Sequence, residues 1–189
     1  MKRLIISSIL TGIVVTLWGM IAWMLLDFHK DTFKNVPEDK TMAIFMLGSL
    51  QEHAAYIIPA RPDTHEESAV KEYVERVKNG PIALIFFLPQ GGDPTMIREI
   101  IVGIIINIIT AAIAGWILLR STAVSQTYLK RVIFIAVLAV FASLAIHFQN
   151  WNWMYFPLRY TTAMTADLII GWILGGMVIA AFIKEKNER

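Results

Sequence analysis

The chain has 189 residues, 56% of them hydrophobic, a mean hydropathy of +0.57 and a formal net charge of +2. Soluble domains are about 45–50% apolar; the excess here lies in four runs and points to membrane spans. So small a charge, with no Lys/Arg-rich tract, excludes a nucleic-acid surface, and a sequence without cysteine excludes disulfides, thiol catalysis and thiolate metal sites.

Residues 4–27 follow Lys2-Arg3 and form the first apolar run. A signal-peptide core is only about 7–15 residues long and ends at a small-residue cleavage site. This run is longer, and Trp23-Met24-Leu25-Leu26 offers no such site. It reads as an uncleaved anchor helix, because about 20 apolar residues cross the hydrocarbon core.

Residues 28–97 hold most of the charge and read as a small α/β domain outside the membrane. Val36-Pro37-Glu38-Asp39 marks a helix start, with proline and acids in the first turn, and the helix is predicted to run to Glu52. The next stretch, 54–60, reads as a strand closed by Pro59. Thr64-His65-Glu66-Glu67 has the spacing of a capping box. Val70, Tyr73, Val74 and Val77 then fall at i, i+3, i+4 and i+7, the stripe of an amphipathic helix, which Asn79-Gly80-Pro81 ends. Residues 82–88 form a buried strand. Strand, helix, strand in that order predicts a βαβ crossover. Two strands alone are marginal, so the domain is expected to lean on the membrane helices or on a second chain.

The other spans are predicted at 98–119, 132–148 and 163–183. A polar loop at 120–131 and an aromatic loop at 149–162 join them, and a charged tail, 184–189, follows. The fold class is therefore a membrane protein, mainly α: a four-transmembrane-helix bundle with a small α/β extracytoplasmic domain inserted between helices 1 and 2. Lys2, Arg3, Arg120, Lys130, Arg131, Lys184, Lys186 and Arg189 fall on one side, against Glu185 and Glu188. The positive-inside rule places both termini in the cytoplasm of a multi-pass protein of the bacterial plasma (inner) membrane type.

Each span carries a stripe of small or polar residues: Ser8, Gly12 and Thr16; Gly103, Asn107, Ala111 and Gly115; Ala136, Ala139 and Ser143, with His147 one turn on; Asp167, Gly171 and Gly175. Small residues four apart let membrane helices approach closely. Gly103, Gly115, Gly171 and Gly175 are the predicted packing glycines, and Gly171-x-x-x-Gly175 equally suits a homodimer face.

His147 and Asp167 are the most conspicuous ionisable groups of the spans. Each lies six residues from its span's midpoint toward the outer side, about 9 Å at 1.5 Å per residue. An intramembrane carboxylate is costly and is ordinarily paired or water-accessible. One reading pairs His147 with Asp167, to relay protons or to bind a divalent cation with His53, His65 or Glu52 as a third ligand. The other is structural, with Asp167 capping the last helix or pairing with Arg159. Asn107, near mid-span, suits a hydrogen bond between helices or a transport pathway. Trp151, Trp153, Tyr155, Phe156 and Tyr160 form an interfacial aromatic belt. Trp18, Trp23, Trp116 and Trp172 need only packing. Glu52-His53, His65-Glu66-Glu67 and His29 are candidates for metal or acid–base work, with solvated loop or helix-cap roles as the other reading. No motif implies a cofactor.

The sequence predicts a non-catalytic accessory or scaffold subunit, with the lipid bilayer and a protein partner or second copy as its contacts. The alternative is a small oligomeric transporter or ion-handling protein using His147 and Asp167.

Overall fold

The computed structural model describes residues 1–184. The predicted tail beyond Lys184, with Glu185, Lys186, Glu188 and Arg189, lies outside the described residues. In chain order the helices are α1 Lys2–Met24, α2 Asp39–Ser49, α3 Glu67–Asn79, α4 Ile97–Arg120, α5 Tyr128–Ser143, α6 Gln149–Met154 and α7 Leu158–Phe182. The strands are β1 Ala54–Ile58 and β2 Ala83–Phe87. Two compact units result, one of Met1–Lys34 with Met96–Arg189 and one of Asn35–Thr95.

In the first unit four helical stretches are long and apolar enough to cross a membrane: Lys2–Met24, Ile97–Arg120, Tyr128–Met154 and Leu158–Phe182. The third is composite, with α5 running through a π turn at Leu144–Phe148 into α6. Helix α1 packs between α4 and α7, and α5 packs on the far side of α7. Absent side chains set the spacing. A Cβ on Gly12 would meet Ile108 of α4, and one on Gly175 would lie 2.9 Å from Thr11 and 3.0 Å from Val15 of α1. One on Gly176 would lie 3.0 Å from Ile135 of α5. The apolar core of Ala111, Ala114, Leu118, Ile135, Ile179 and Ile183 joins α4, α5 and the end of α7.

The third and fourth helices are longer than the hydrophobic runs predict. They extend to Met154 and back to Leu158, so most of 149–162 is helical. Hydropathy reports where side chains suit lipid, whereas the helix continues until the backbone is forced to turn. That happens at Tyr155, in the left-handed region at φ 56°, and at Pro157, whose ring restricts Phe156 and which caps the start of α7.

In the second unit the two strands pair antiparallel, Ala54 opposite Phe87 and Ile58 opposite Ala83, and not in the parallel crossover that the element order predicts. Residues 59–66 precede α3. Eight extended residues reach about 26 Å, enough to retrace a five-residue strand before the helix begins, and the helix then carries the chain the other way. The capping box is also absent: α3 starts after Glu66, whose N–H bonds the Thr64 hydroxyl in a local turn. Helix α2 starts at Asp39 after a left-handed Glu38 and ends at Ser49, short of Glu52.

Candidate functional site

At the end of α1 the chain makes a 3₁₀ turn, Asp27–His29, and the strap 27–34 lies against α7. Four contacts fix it. His29 Nε2 stands 3.4 Å from Asp167 Oδ2. Arg159 Nη2 of α7 donates to Asp31 Oδ2 at 2.7 Å. The His29 ring stacks on Trp23, with centroids 4.1 Å apart and planes 10° from parallel. Phe33 meets Tyr160 edge-on at 5.5 Å. Within the strap the Thr32 hydroxyl donates to the His29 carbonyl at 2.7 Å.

The carboxylate of Asp167 is held from two directions. Trp18 Nε1 of α1 donates to Oδ1 at 2.7 Å and to the Asp167 carbonyl at 3.1 Å; His29 faces Oδ2. Gly171, one turn on, makes room for the indole, since a Cβ there would lie 2.9 Å from Trp18 Cδ1. His29 is only 5% exposed, and the Asp167 side chain 18%. Phe28, 4.1 Å from the His29 ring, closes another side. Neither ring nitrogen of His29 has a hydrogen-bond partner in the structure, and both are buried. The 3.4 Å separation exceeds the roughly 2.7–2.9 Å of a charge-assisted hydrogen bond.

The structure thus distributes the sequence-predicted residues differently. Asp167 pairs with His29, not with Arg159, and it lies well inside α7, too far from Leu158 to cap the helix. Arg159 takes Asp31 instead. His147 lies in the π turn, half-buried. His53 and His65 belong to the second unit. Among the described residues no three His, Asp or Glu side chains converge as a metal site would need. Asn107 Nδ2 donates to Thr16 Oγ1 at 3.1 Å, tying α4 to α1. Of the packing glycines, Gly115, Gly171 and Gly175 stand at close contacts, whereas nothing lies within 4 Å of a Cβ on Gly103. Gly103 and Gly19, which is equally unopposed, mark positions where α1 and α4 do not need close approach.

In the aromatic belt Trp153 is 70% and Tyr155 67% exposed. Trp153 donates to Gln149 on its own helix, Trp151 meets Phe148 edge-on, and Phe156 meets Tyr160. Reading the sequence by motif misses Trp18 and the pairing of His29 with Asp167. A usable signal exists: an indole N–H inside a span needs an acceptor, and Asp167 is the one carboxylate within the last apolar run.

Comparison with protein-family models, with curated protein sequences and with solved structures gives no match for this chain.

Proposed function

We propose that the four apolar helices form a membrane-embedded bundle with both termini cytoplasmic, and that the chain is a non-catalytic accessory or scaffold subunit whose outer unit captures a protein partner. One observation carries this reading. In Asn35–Thr95 a single residue, Pro59, is buried. Units of this size ordinarily bury about 60% of their unfolded surface and are marginal even then. Helix α2 buries none of its residues; Ile44 is 73% and Phe45 66% exposed. Within it the run Met42–Leu47 is apolar on every side, and such a surface is ordinarily buried; in this reading a protein partner supplies the cover.

Charge supports the orientation. The basic residues Lys2, Arg3, Arg120, Lys130, Arg131 and Lys184 fall at one end of the four apolar runs, the pattern of a cytoplasmic face. Arg131 is there as structure too, 4% exposed, with its guanidinium donating to the Gln126 carbonyl at 2.7 Å. The transport alternative loses support from the same sequence. Between Asp167 and that basic end the four runs contain no further ionisable side chain, so Asp167 has nothing to hand a charge to across the bilayer.

Native mass spectrometry of the protein taken from its own membranes in mild detergent tests the proposal. The expected result is a reproducible additional protein mass that disappears with Phe45→Asp and persists with Asp167→Asn. A lone chain, or an added mass indifferent to Phe45→Asp, overturns it.

A further inference from the structure

We propose that the cavity between the start of α1 and the ends of α4 and α7 binds the phosphodiester headgroup of an anionic phospholipid. The inference rests on the membrane placement proposed above, with this end facing the cytoplasm, but not on the partner.

The chain path gathers the cations. Helix α1 begins at the end of the bundle where α4 and α7 finish. Lys2 and Arg3 of α1 therefore meet Lys184, which follows α7, around a cavity of about 290 Å³. Among the described residues no carboxylate lines this cavity, and none of the three cations stands in an ion pair. The residues beyond Lys184 are balanced, Glu185 and Glu188 against Lys186 and Arg189, so in sum they leave the positive excess as it is. Like charges around one cavity repel one another, and an anion seated between them turns that repulsion into attraction.

The walls select the source of the anion. Leu4, Leu119 and Phe182 line the same cavity, and Leu119 is 43% exposed. In an embedded bundle an exposed leucine at a helix end faces lipid, so one wall borders the bilayer. The floor is packed shut: Leu4 and Ile183 both reach Gly115 of α4, where a Cβ would lie 2.8 Å from each. A molecule seated here meets cations on the water side and apolar side chains on the membrane side. A phospholipid matches both, its phosphate against Lys2, Arg3 and Lys184 and its acyl chains along Leu119. A free phosphate matches only the first. Basic pockets between membrane helices on the cytoplasmic side hold anionic headgroups, and that leaflet supplies anionic lipid.

Native mass spectrometry of the full chain in mild detergent, titrated with phosphatidylglycerol or with phosphatidylcholine of the same acyl chains, tests the site. The expected result is a single tightly held phosphatidylglycerol and much weaker phosphatidylcholine. Each cation removed should weaken phosphatidylglycerol by about fivefold. Arg3→Gln and Lys184→Gln, far apart in the chain, should each show that loss, whereas Arg3→Lys keeps the charge and the affinity. Arg120→Gln is the control: its guanidinium lies over the Trp116 ring at 5.6 Å, outside the cavity, and the lipid should stay. A large excess of inorganic phosphate should not displace it. Equal retention of the two lipids, no loss in Arg3→Gln or Lys184→Gln, an equal loss in Arg120→Gln, or displacement by inorganic phosphate overturns the proposal; the last would assign the cavity to a free anion. Failure of the placement reads differently. A chain washed from its membranes by alkaline carbonate overturns the membrane reading, whereas one that stays and does not distinguish the lipids overturns this inference alone.

Discussion

Trp18 and Asp167 are joined twice: the indole N–H reaches both the carboxylate, at 2.7 Å, and the carbonyl of the same residue, at 3.1 Å. A tryptophan of the first span and an aspartate of the last thus form one polar joint in an otherwise apolar seam. Gly171 makes the seam narrow enough for it. The joint also decides where the strap after α1 goes, because the second carboxylate oxygen is left for His29.

Trp18→Phe keeps an aromatic ring, though a smaller one, and removes the donor. Hydrogen bonds to charged groups contribute about 1.5–3 kcal/mol, so the variant is expected to lose roughly that much stability. Unfolding in mixed detergent, followed by circular dichroism, measures it. A loss below about 0.5 kcal/mol would mean that the bond contributes only orientation.

The strap's two polar contacts with α7, His29–Asp167 and Asp31–Arg159, should differ in weight. Arg159 and Asp31 have side chains 63% and 48% exposed, and exposed pairs contribute about 0–1 kcal/mol. Breaking a buried pair by removing one partner costs about 3–5 kcal/mol. His29→Ala is therefore expected to destabilise far more than Arg159→Ala, with the stacking on Trp23 lost as well. Equal effects in the same unfolding assay would show that the site is not effectively desolvated.

How much of this could be read in advance follows from what each residue type reports. The four apolar runs were legible because hydropathy is summed over many residues, and so was the helix-to-helix role of Asn107, since an amide deep in a span has few partners but the neighbouring helix. The ends were not. Tyr128 and Gln149–Met154 are helical yet polar or amphipathic, so hydropathy alone places the boundaries too far in. Strand direction between β1 and β2 depends on the path of residues 59–66, which leaves no periodic trace. The His29–Asp167 pair joins residues 138 positions apart; a histidine in a polar stretch looks the same whether solvated or folded back onto a helix.

Asp93 provides a pH prediction in the second unit. The Thr95 N–H donates to its Oδ1 at 2.9 Å, and that bond, helped by the Thr95 hydroxyl, holds the carboxyl below its ordinary value of 3.8. A carboxyl lowered by folding stabilises the turn above the ordinary value, and the contribution is lost as pH falls through the lowered one. Thr95→Ala should move the Asp93 titration partway back by carbon-detected NMR. Thr95→Pro, which removes the N–H too, should move it further. No difference between the two would mean that the backbone bond is not the main cause.

The bond between Asn107 and Thr16 can be weighed against the rest of the α1–α4 seam. Interhelical polar bonds in membranes average about 0.6 kcal/mol and reach about 1.7, because the unfolded chain in the bilayer also finds partners. A double-mutant cycle of Asn107→Leu and Thr16→Val should give a coupling in that range. A coupling near zero would assign the seam to packing alone.

That packing is tested by two glycines of opposite surroundings. At Gly12 a Cβ would meet the Ile108 side chain and stand 3.0 Å from the Ile108 backbone nitrogen. Backbone cannot step aside as a side chain can, so Gly12→Ala forces α1 and α4 apart, and overpacking of this kind costs about 1–3 kcal/mol. It should also lengthen the Asn107–Thr16 bond one turn away, so that the coupling measured above shrinks in the Gly12→Ala background. At Gly103 nothing lies within 4 Å, and alanine has the better helix propensity by roughly 1 kcal/mol in water. Gly103→Ala is therefore expected to be neutral or stabilising. If the two substitutions cost the same, the close approach at Gly12 is not what sets the helix spacing.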